Sequence, residues 1–556
     1  MLEPSPKLKN ASVVWEPKLF LVSPPPEHKF AVKKKPKKAC FKNAKDYAIE
    51  YCQESSVHGV KYIGQRGRTY VEKLTWTVIV VSLCTVCLMH IRQAYLKWEG
   101  APVTVSFSDK EVPISAIPFP AVTICPEVRF DPEKFNYTRV FRKKRYGMRE
   151  EYLQIAFLLC EVCVECRGYF GIVEWNDTVT PNVARKLREI LPPLDPLNLT
   201  VTMWLGKLLN TSKVFSYTLT SEGICYTFNM LPYDEIVRDG YQFNRSLDFM
   251  RKSHKWTLEE GYPPGENLDV FPRRTFMSGT DGGLTISYIA TNDSHLDYSC
   301  GESLQGFKIA LHHPSEFPNM DRHFRLPLNQ AVFVGVRPSF LTVSPELLSY
   351  APAARKCYFA KEKYLASYKY YTQQNCLDEC LLNYTIASCG CTPFYFTLIR
   401  KNTKVCGAAL TACVKESKLH YLKKEIHSDD QRCACLPSCT SLSYEVETSQ
   451  TDWRWQKAVE TLNLDHFSHI NPNSLHISKL SVFYKDLQFL SCRREEVYGS
   501  LNFFSNIGGL LGLFIGFSVT SAFEIVYFLT LRIFCNVRKY GRRAWFGQPN
   551  RGKFMK

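Results

Sequence analysis

The residues most suited to chemistry lie in one apolar run near the end of the chain, residues 501–534. This run contains a single acidic side chain, Glu524, and three glycines spaced four residues apart, Gly508, Gly512 and Gly516. Small residues at this spacing let membrane helices pack closely. An ionisable group inside a membrane run usually marks a functional site, and a ring of such carboxylates would attract cations. The alternative is a packed anchor helix in which Glu524 hydrogen-bonds to a neighbour.

Several uncharged polar side chains accompany Glu524 in this run. Among them are Ser505, Asn506, Ser518 and Ser521. The wall of an ion pathway needs such groups, whereas a simple anchor does not. A channel subunit, a non-conducting surface receptor and an ecto-hydrolase are the competing functions. Neither a G-x-S-x-G elbow nor an H-E-x-x-H motif occurs in the sequence, so no nucleophile or catalytic metal is nominated and we predict that the protein is not an enzyme.

A second apolar run, residues 74–91, is also about long enough to cross a bilayer core. Mostly polar residues precede it and no small-residue cleavage site follows it, so it does not resemble a secretory signal. Lysines precede the first run and arginines follow the second, which places both ends in the cytosol. The predicted organisation is a cytosolic region 1–69, a first span 70–93, an extracellular domain 94–500, a pore-lining second span 501–532 and a basic cytosolic tail 533–556.

The formal net charge of +17 does not indicate nucleic-acid binding. The basic residues that flank the spans would instead face the anionic inner leaflet of a lipid bilayer. We therefore expect a two-span protein of the plasma membrane that has a lipid bilayer, and no nucleic acid, as a partner.

Cysteine content and glycosylation motifs agree with an extracellular middle segment. Of the 22 cysteines, 17 lie between the two apolar runs, which is typical of an oxidising compartment. Seven N-x-S/T motifs lie there too. The predicted glycosylation sites are Asn136, Asn176, Asn198, Asn210, Asn244, Asn292 and Asn383.

Ten cysteines crowd between residues 357 and 439. The pattern of residues 361–383 predicts a helix, on which Cys376 and Cys380 share one face. Two bonds from this face toward Cys433 and Cys435 would form a ladder. A zinc site is the alternative, but an extracellular setting favours disulfides. Each disulfide would stabilise the fold by a few kcal/mol.

Several motifs together carry a family resemblance. They are S-S-V-H-G-V-K-Y-I (55–63), F-P-A-V-T-I-C (119–125), G-I-C-Y-T-F-N (223–229), R-K-C-Y-F (355–359), Y-T-Q-Q-N-C-L-D-E-C (371–380), C-G-C-T-P-F-Y (389–395), C-A-C-L-P-S-C-T-S-L-S-Y (433–444) and I-G-G-L-L-G-L-F-I-G-F-S (507–518). On these residues the chain resembles a subunit of the degenerin/epithelial sodium channel family, and most closely an insect pickpocket-type member.

The resemblance implies a two-transmembrane-helix protein with a large disulfide-rich α/β ectodomain. That ectodomain would comprise a palm, a thumb at about 340–440, a finger and a β-ball, in a trimer like that of acid-sensing channels. The implied disulfides are Cys125–Cys225, Cys357–Cys439, Cys376–Cys435, Cys380–Cys433, Cys389–Cys413 and Cys391–Cys406. It leaves unassigned Cys160, Cys163, Cys166, Cys300 and Cys492.

The resemblance also assigns roles within the membrane segment. Gly516-Phe517-Ser518 matches the selectivity tract, and an interrupted helix there would expose carbonyls that replace an ion's hydration shell. Glu524 would form an inner ring of charge. Gly512 matches the amiloride-contacting position and Ser505 the degenerin position, where bulk holds related pores open. His58-Gly59 matches the gating motif.

Two departures limit the resemblance. No tryptophan stands just before Cys357, where acid-sensing relatives place one that contacts the first span, and Tyr527 replaces their second acid. Proton gating is therefore not implied. His312 and His313 are of a residue type that titrates near neutral pH, but we predict a solvated or structural role for them.

The predicted function is a sodium-selective, amiloride-sensitive, voltage-independent cation channel subunit, with Na⁺ as the permeant ion and no cofactor. It would assemble as a homo- or heterotrimer with related subunits and respond to an extracellular chemical or mechanical stimulus in sensory or epithelial cells. The alternative is a non-conducting two-span receptor or modulatory subunit. The sequence does not identify the stimulus or an extracellular ligand.

Overall fold

The computed structural model falls into two compact units. One is Lys97–Ser500, and the other combines Met1–Leu96 with Leu501–Lys556. The structure describes residues 37–100, 103–139, 150–160, 177–180, 182–195, 199–238, 253, 256–265, 269–300, 304–396, 404–427, 433–462, 472–542 and 545–547.

Helices make up most of the described residues in the unit that combines Met1–Leu96 with Leu501–Lys556, and shorter helices occur in the Lys97–Ser500 unit. The helices of the described residues are α1 Lys37–Glu54, α2 Val60–Gly64, α3 Tyr70–Gly100, α4 Glu150–Leu159, α5 Val183–Glu189, α6 Thr211–Val214, α7 Tyr233–Ile236, α8 Pro352–Arg355, α9 Gln373–Cys389, α10 Thr411–His427, α11 Trp455–Leu462, α12 Ser500–Ile515, α13 Val519–Leu529 and α14 Leu531–Tyr540.

Strands form the framework of the Lys97–Ser500 unit. They are β1 Val103–Pro113, β2 Ala121–Pro126, β3 Thr178–Val179, β4 Val201–Trp204, β5 Lys207–Leu209, β6 Phe215–Thr220, β7 Gly223–Phe228, β8 Leu284–Asn292, β9 Phe307–His312, β10 Phe324–Leu326, β11 Gln330–Val343, β12 Val405–Cys406, β13 Ser441–Asp452, β14 Leu475–Tyr484 and β15 Gln488–Glu496.

The larger sheet is organised around β11. Its order is β1-β15-β11-β14-β8-β4-β5, and β13 also pairs with β11. Alternate residues of a strand point to the same face, and Val332, Val334 and Val336 are buried on one face of β11. Leu480 and Val482 of β14, which lies parallel to β11, are buried with them. Burial of this face supplies the main stabilisation of the sheet.

A smaller antiparallel sheet has the order β10-β9-β2-β7-β6. His312 ends β9, and its Nε2 lies 2.8 Å from Oγ1 of the buried Thr123. Burial lowers the pKa of His312 to about 4 and that of His313 to about 3. Both imidazoles are therefore neutral at physiological pH, which agrees with the predicted structural role.

One predicted helix begins at a different residue. The sequence pattern placed it at residues 361–383, whereas α9 begins at Gln373. Thr372 caps α9 by accepting a hydrogen bond from the backbone N–H of Asn375, at 3.1 Å. Before it, the N–H groups of Ala366 and Ser367 donate to the Glu379 carboxylate, at 3.1 and 2.8 Å. These side-chain partners replace helical hydrogen bonds, so the aromatic residues there belong to a packed loop.

Seven disulfides join residues that the structure describes, and six of them are the pairs that the resemblance implies. The seventh, Cys160–Cys300, joins two of the cysteines left unassigned. Cys492 of β15 is a free thiol. The other two unassigned cysteines, Cys163 and Cys166, lie outside the described residues.

Two helical stretches in the described part of the chain are long and apolar enough to cross a membrane, Tyr70–Glu99 and Val519–Tyr540. A shorter apolar helix, Ser500–Ile515, precedes the second stretch. The apolar run 501–534 is therefore not one straight helix. It is divided at residues 516–518, the tract that the sequence nominated for ion selection.

Candidate functional site

The break in the second apolar run begins at Gly516. Its φ of +65° is left-handed, a conformation that glycine adopts without the steric cost that other residues incur. The N–H of Gly516 donates to the carbonyl of Gly512 at 3.0 Å, which is the bond that closes a helix at a left-handed residue. Helix α12 therefore ends here because this position is a glycine.

The next helix begins immediately after the break. Ser518 is extended, and its side chain accepts a hydrogen bond from the N–H of Ser521 at 3.3 Å. The Ser521 hydroxyl accepts from the N–H of Ser518 at 3.2 Å, which completes a reciprocal capping box. Gly516 and Ser518 thus explain locally why the apolar run is interrupted. In a membrane, such an interruption is tolerated only where it is buried in protein or lines a water-filled cavity.

Hydrogen bonds connect this break to the acidic side chain. The hydroxyl of Ser518 lies 3.2 Å from that of Ser521, which lies 2.7 Å from the hydroxyl of Ser56. Ser56 in turn donates to Oε2 of Glu524 from its hydroxyl, at 2.9 Å, and from its backbone N–H, at 3.1 Å. These two donors on one oxygen fix the orientation of the Glu524 carboxylate.

The sequence had given Ser56 no role. It was visible only as part of the S-S-V-H-G motif, and its partner Glu524 is 468 residues away along the chain. The contact agrees in one respect with the alternative of a packed anchor helix, in which Glu524 hydrogen-bonds to a neighbour. It also brings the segment before the first span to the polar face of the second.

The His-Gly motif contacts both span helices. The N–H of His58 donates to the carbonyl of Ile515 at 3.0 Å, one residue before the break. A Cβ on Gly516 would lie 2.5 Å from Cγ of His58. Gly59 has a φ of +83°, and a Cβ there would lie 2.6 Å from Cγ2 of Val80 in α3. Both glycines are therefore required by backbone conformation and by space.

Helix α1 adds a second set of contacts that the sequence did not predict. Arg532 forms ion pairs with Glu50 and Glu54, the latter at 3.8 Å. The Tyr47 hydroxyl donates to the carbonyl of Phe528 at 2.6 Å. No local pattern announces these contacts, because each joins residues from opposite ends of the chain.

Ser505 and Gly512 lie away from this cluster. Ser505 is exposed within α12 and comes five residues after the first residue of that helix, so it is not an N-cap. Gly512 is also exposed, and within the described residues a Cβ there would meet no atom within 4 Å. Ser505 precedes Gly516 by 11 residues, which is about 16 Å along a helix. The predicted site residues are therefore spread along the apolar run, and only the break, Glu524 and the His-Gly motif are brought together.

Four predicted glycosylation sites fall in the Lys97–Ser500 unit where the structure describes them. Asn210 and Asn383 are exposed, and Asn136 and Asn292 are half-buried. Asn383 lies within α9. The remaining three, Asn176, Asn198 and Asn244, lie outside the described residues.

The similarity to known proteins includes both apolar segments. The profile of the family described as "Amiloride-sensitive sodium channel" matches residues 51–528. Pickpocket protein 28 of Drosophila melanogaster is 28% identical over 510 residues, which cover 89% of this chain and 80% of that protein.

Two further relatives match over similar lengths. Sodium channel protein Nach of Drosophila melanogaster is 22% identical over 494 residues, with 87% of this chain and 86% of that protein covered. The bile acid-sensitive ion channel of Mus musculus is 22% identical over 511 residues, with 87% and 88% covered. Since the family profile extends from before the His-Gly motif to beyond Glu524, the chain belongs to the amiloride-sensitive, or degenerin/epithelial, sodium channel family, whose members are ion channels and not enzymes.

Proposed function

We propose that the chain is a sodium-selective, amiloride-sensitive and voltage-independent cation channel subunit of the plasma membrane. The observation that carries this proposal is the break at residues 516–518, which lies between two apolar helices and is hydrogen-bonded through Ser521 and Ser56 to Glu524. A helix interrupted in this way offers carbonyl and hydroxyl oxygens, which are the groups that replace water around a small cation.

Each part of the site has a proposed role in conduction. Gly516, Phe517 and Ser518 form the selectivity filter, and Glu524 supplies negative charge that concentrates cations. Gly512 contacts amiloride. The His58-Gly59 motif participates in gating. The hydrogen bond of His58 to Ile515 and the close approach of Gly59 to Val80 support that role.

A complete pathway requires more than one copy. We propose a homo- or heterotrimer with related subunits, with both ends of each chain in the cytosol. The large sheet corresponds to the palm, the disulfide-linked pair of helices α9 and α10 to the thumb, and the small sheet to the β-ball. Na⁺ is the permeant ion, no cofactor is needed, and an extracellular chemical or mechanical stimulus opens the pore in sensory or epithelial cells.

A non-conducting receptor or modulatory subunit is the second candidate. Its support is the hydrogen bonding of Glu524 to Ser56, because a carboxylate held by a neighbour is also what a packed anchor would show. Expression of the chain alone and with related subunits, with external Na⁺ exchanged for a large cation, separates the two. A current that disappears in the large cation supports the channel. The second candidate predicts no current from the chain alone despite normal surface expression; a modulatory subunit would in addition change the current of the related subunits expressed with it.

Substitution of Ser518 tests the filter itself. We expect Ser518→Cys to change the ratio of Na⁺ to K⁺ permeability by about tenfold, equivalent to about 1.4 kcal/mol, because Ser518 belongs to the break and its hydroxyl caps α13. Reversal potentials measured in mixed Na⁺ and K⁺ solutions provide the ratio. Thr530→Val is the matched control, since it removes a hydroxyl from the same segment beyond the filter. An unchanged reversal potential in a conducting Ser518→Cys channel would place the filter elsewhere.

The proposed topology has its own test. We expect a glycan-removing enzyme to increase the electrophoretic mobility of the protein, and Asn210→Gln to remove part of that increase, because Asn210 is exposed. Tags at both chain ends should be inaccessible to antibody in intact cells and accessible after permeabilisation. A terminal tag that is stained in intact cells contradicts the two-span arrangement.

A further inference from the structure

A polar cavity of about 390 Å³ lies within the Lys97–Ser500 unit. Its walls come from the small sheet, from the last residues of α4 and from one side of α10. The volume lies within the range of small-molecule sites, about 300–1,000 Å³. Phe394 and Tyr395 add an aromatic wall. The cavity belongs to neither the proposed ion pathway nor the disulfide ladder.

Cations outnumber carboxylates in the lining of this cavity. The charged lining residues are Arg129, Lys308, Arg325, Lys415, Lys418, Glu127, Glu222 and Asp321. Two pairs neutralise each other: Arg325 with Glu127, and Lys418 with Asp321 at 2.6 Å. The excess of positive charge therefore lies on the remaining lining residues, and part of it lies on buried side chains.

The buried part is a triad. Glu222, in the turn between β6 and β7, forms ion pairs with both Arg129 and Lys308, the latter at 2.9 Å. Their side chains are 18%, 11% and 14% exposed, respectively. Arg129 also donates to the carbonyl of Leu159 at the end of α4, which fixes the guanidinium in place. Two cations thus share one carboxylate.

This excess persists at neutral pH. Burial by itself would raise the pKa of Glu222, but Arg129 and Lys308 more than offset that effect and hold its pKa below the usual value. Glu222 therefore stays ionised and the triad keeps one net positive charge. An uncompensated charge in a largely buried position is unfavourable, so a bound anion would be stabilised there.

We infer that this cavity binds a small organic carboxylate, whose charged group contacts Arg129 and Lys308 and whose apolar part lies against Phe394 and Tyr395. Guanidinium and ammonium groups form strong charge-assisted hydrogen bonds to carboxylates, and the planar guanidinium matches the carboxylate in geometry. The inference rests on the cavity and its charges and does not depend on ion conduction.

Isothermal titration of the purified full-length protein in detergent with sodium benzoate, at constant ionic strength, tests this inference. We expect saturable binding in the millimolar range or tighter, and none with benzamide, which has a similar shape but no charge. Absence of saturable benzoate binding at these concentrations, or equal binding of benzamide, overturns the proposal.

Two substitutions in the triad should act in opposite directions. Lys308→Met removes the excess charge and should weaken benzoate binding by about tenfold or more, whereas Glu222→Gln adds to the excess and should tighten it by about tenfold. The double variant restores one net positive charge on Arg129 and should bind close to the wild type. A merely structural triad would make all three variants weaker or unstable.

Arg337→Met is the matched control, because it also removes one cation, from an exposed ion pair with Glu447. It should leave benzoate binding unchanged. Thermal unfolding of each variant reports whether it folds. If Lys308→Met does not fold, Glu222→Gln alone decides: unchanged or weaker binding in that folded variant refutes an anion site.

Discussion

Replacement of Gly516 by alanine is expected to abolish current in channels that still reach the cell surface. A non-glycine residue in the left-handed region costs about 1–2 kcal/mol, and Gly516 has a φ of +65°. In addition, the new Cβ would lie 2.5 Å from Cγ and Nδ1 of His58. Either the break or the His-Gly motif must move, and the first belongs to the proposed filter and the second to the proposed gating apparatus. Whole-cell current, normalised to surface protein, measures the effect.

Gly509→Ala is the control for this substitution. Gly509 lies in the same helix, has no unusual φ, and within the described residues a Cβ there would meet no atom within 4 Å. Alanine is favoured over glycine within a helix by about 1 kcal/mol, so current should be retained. Partial recovery of current in a Gly516→Ala, His58→Ala double variant would attribute the loss to the clash. Wild-type current in Gly516→Ala would contradict the proposed geometry of the break.

The break and the contacts around it differ in how far the sequence could predict them. The interruption follows from local chemistry, because Gly516 ends one helix and Ser518 caps the next. A Gly-x-Ser tract in an apolar run is therefore largely sufficient to predict that the helix is interrupted there. The role of Ser56 is different, since its contact with Glu524 spans 468 residues of sequence. No pattern near either residue identifies that pairing.

The same distinction holds in the Lys97–Ser500 unit. Alternating apolar residues indicate strands such as β11, whose buried valines recur at every second position. The aromatic residues before α9 misled the sequence reading, because Tyr368 and Tyr371 are buried in a loop and do not continue the helix. Tertiary packing, with Glu379 accepting the loop N–H groups, determined that boundary. Periodicity alone does not distinguish a buried loop from one more helical turn.

Substitution of Ser505 is expected to have the second large effect, a standing current without stimulus. In the proposed trimer, three copies of α12 converge on one axis, and a small hydroxymethyl group fits where a larger side chain would clash. Ser505→Val should therefore destabilise the closed state. A change of about 3 kcal/mol would move a population that is about 1% open to about half open. Current recorded at rest, and its block by amiloride, measures the shift.

Neighbouring serines and thiol chemistry provide the controls for Ser505. The structure places Ser505 within α12 and not at its start, so loss of an N-cap does not explain an effect there. Ser500→Val, at the first residue of the helix, should change expression without producing current at rest, and Ser505→Ala should stay silent because alanine is smaller. Ser505→Cys should behave like the wild type until a charged thiol reagent is added, and should then conduct. The reagent must also be applied to the wild type, because the wild type carries exposed Cys535 and half-buried Cys492. No current should appear there. If Ser505→Val reaches the surface with its partners and remains silent at rest, Ser505 does not control the closed state, even though the chain still belongs to the channel family.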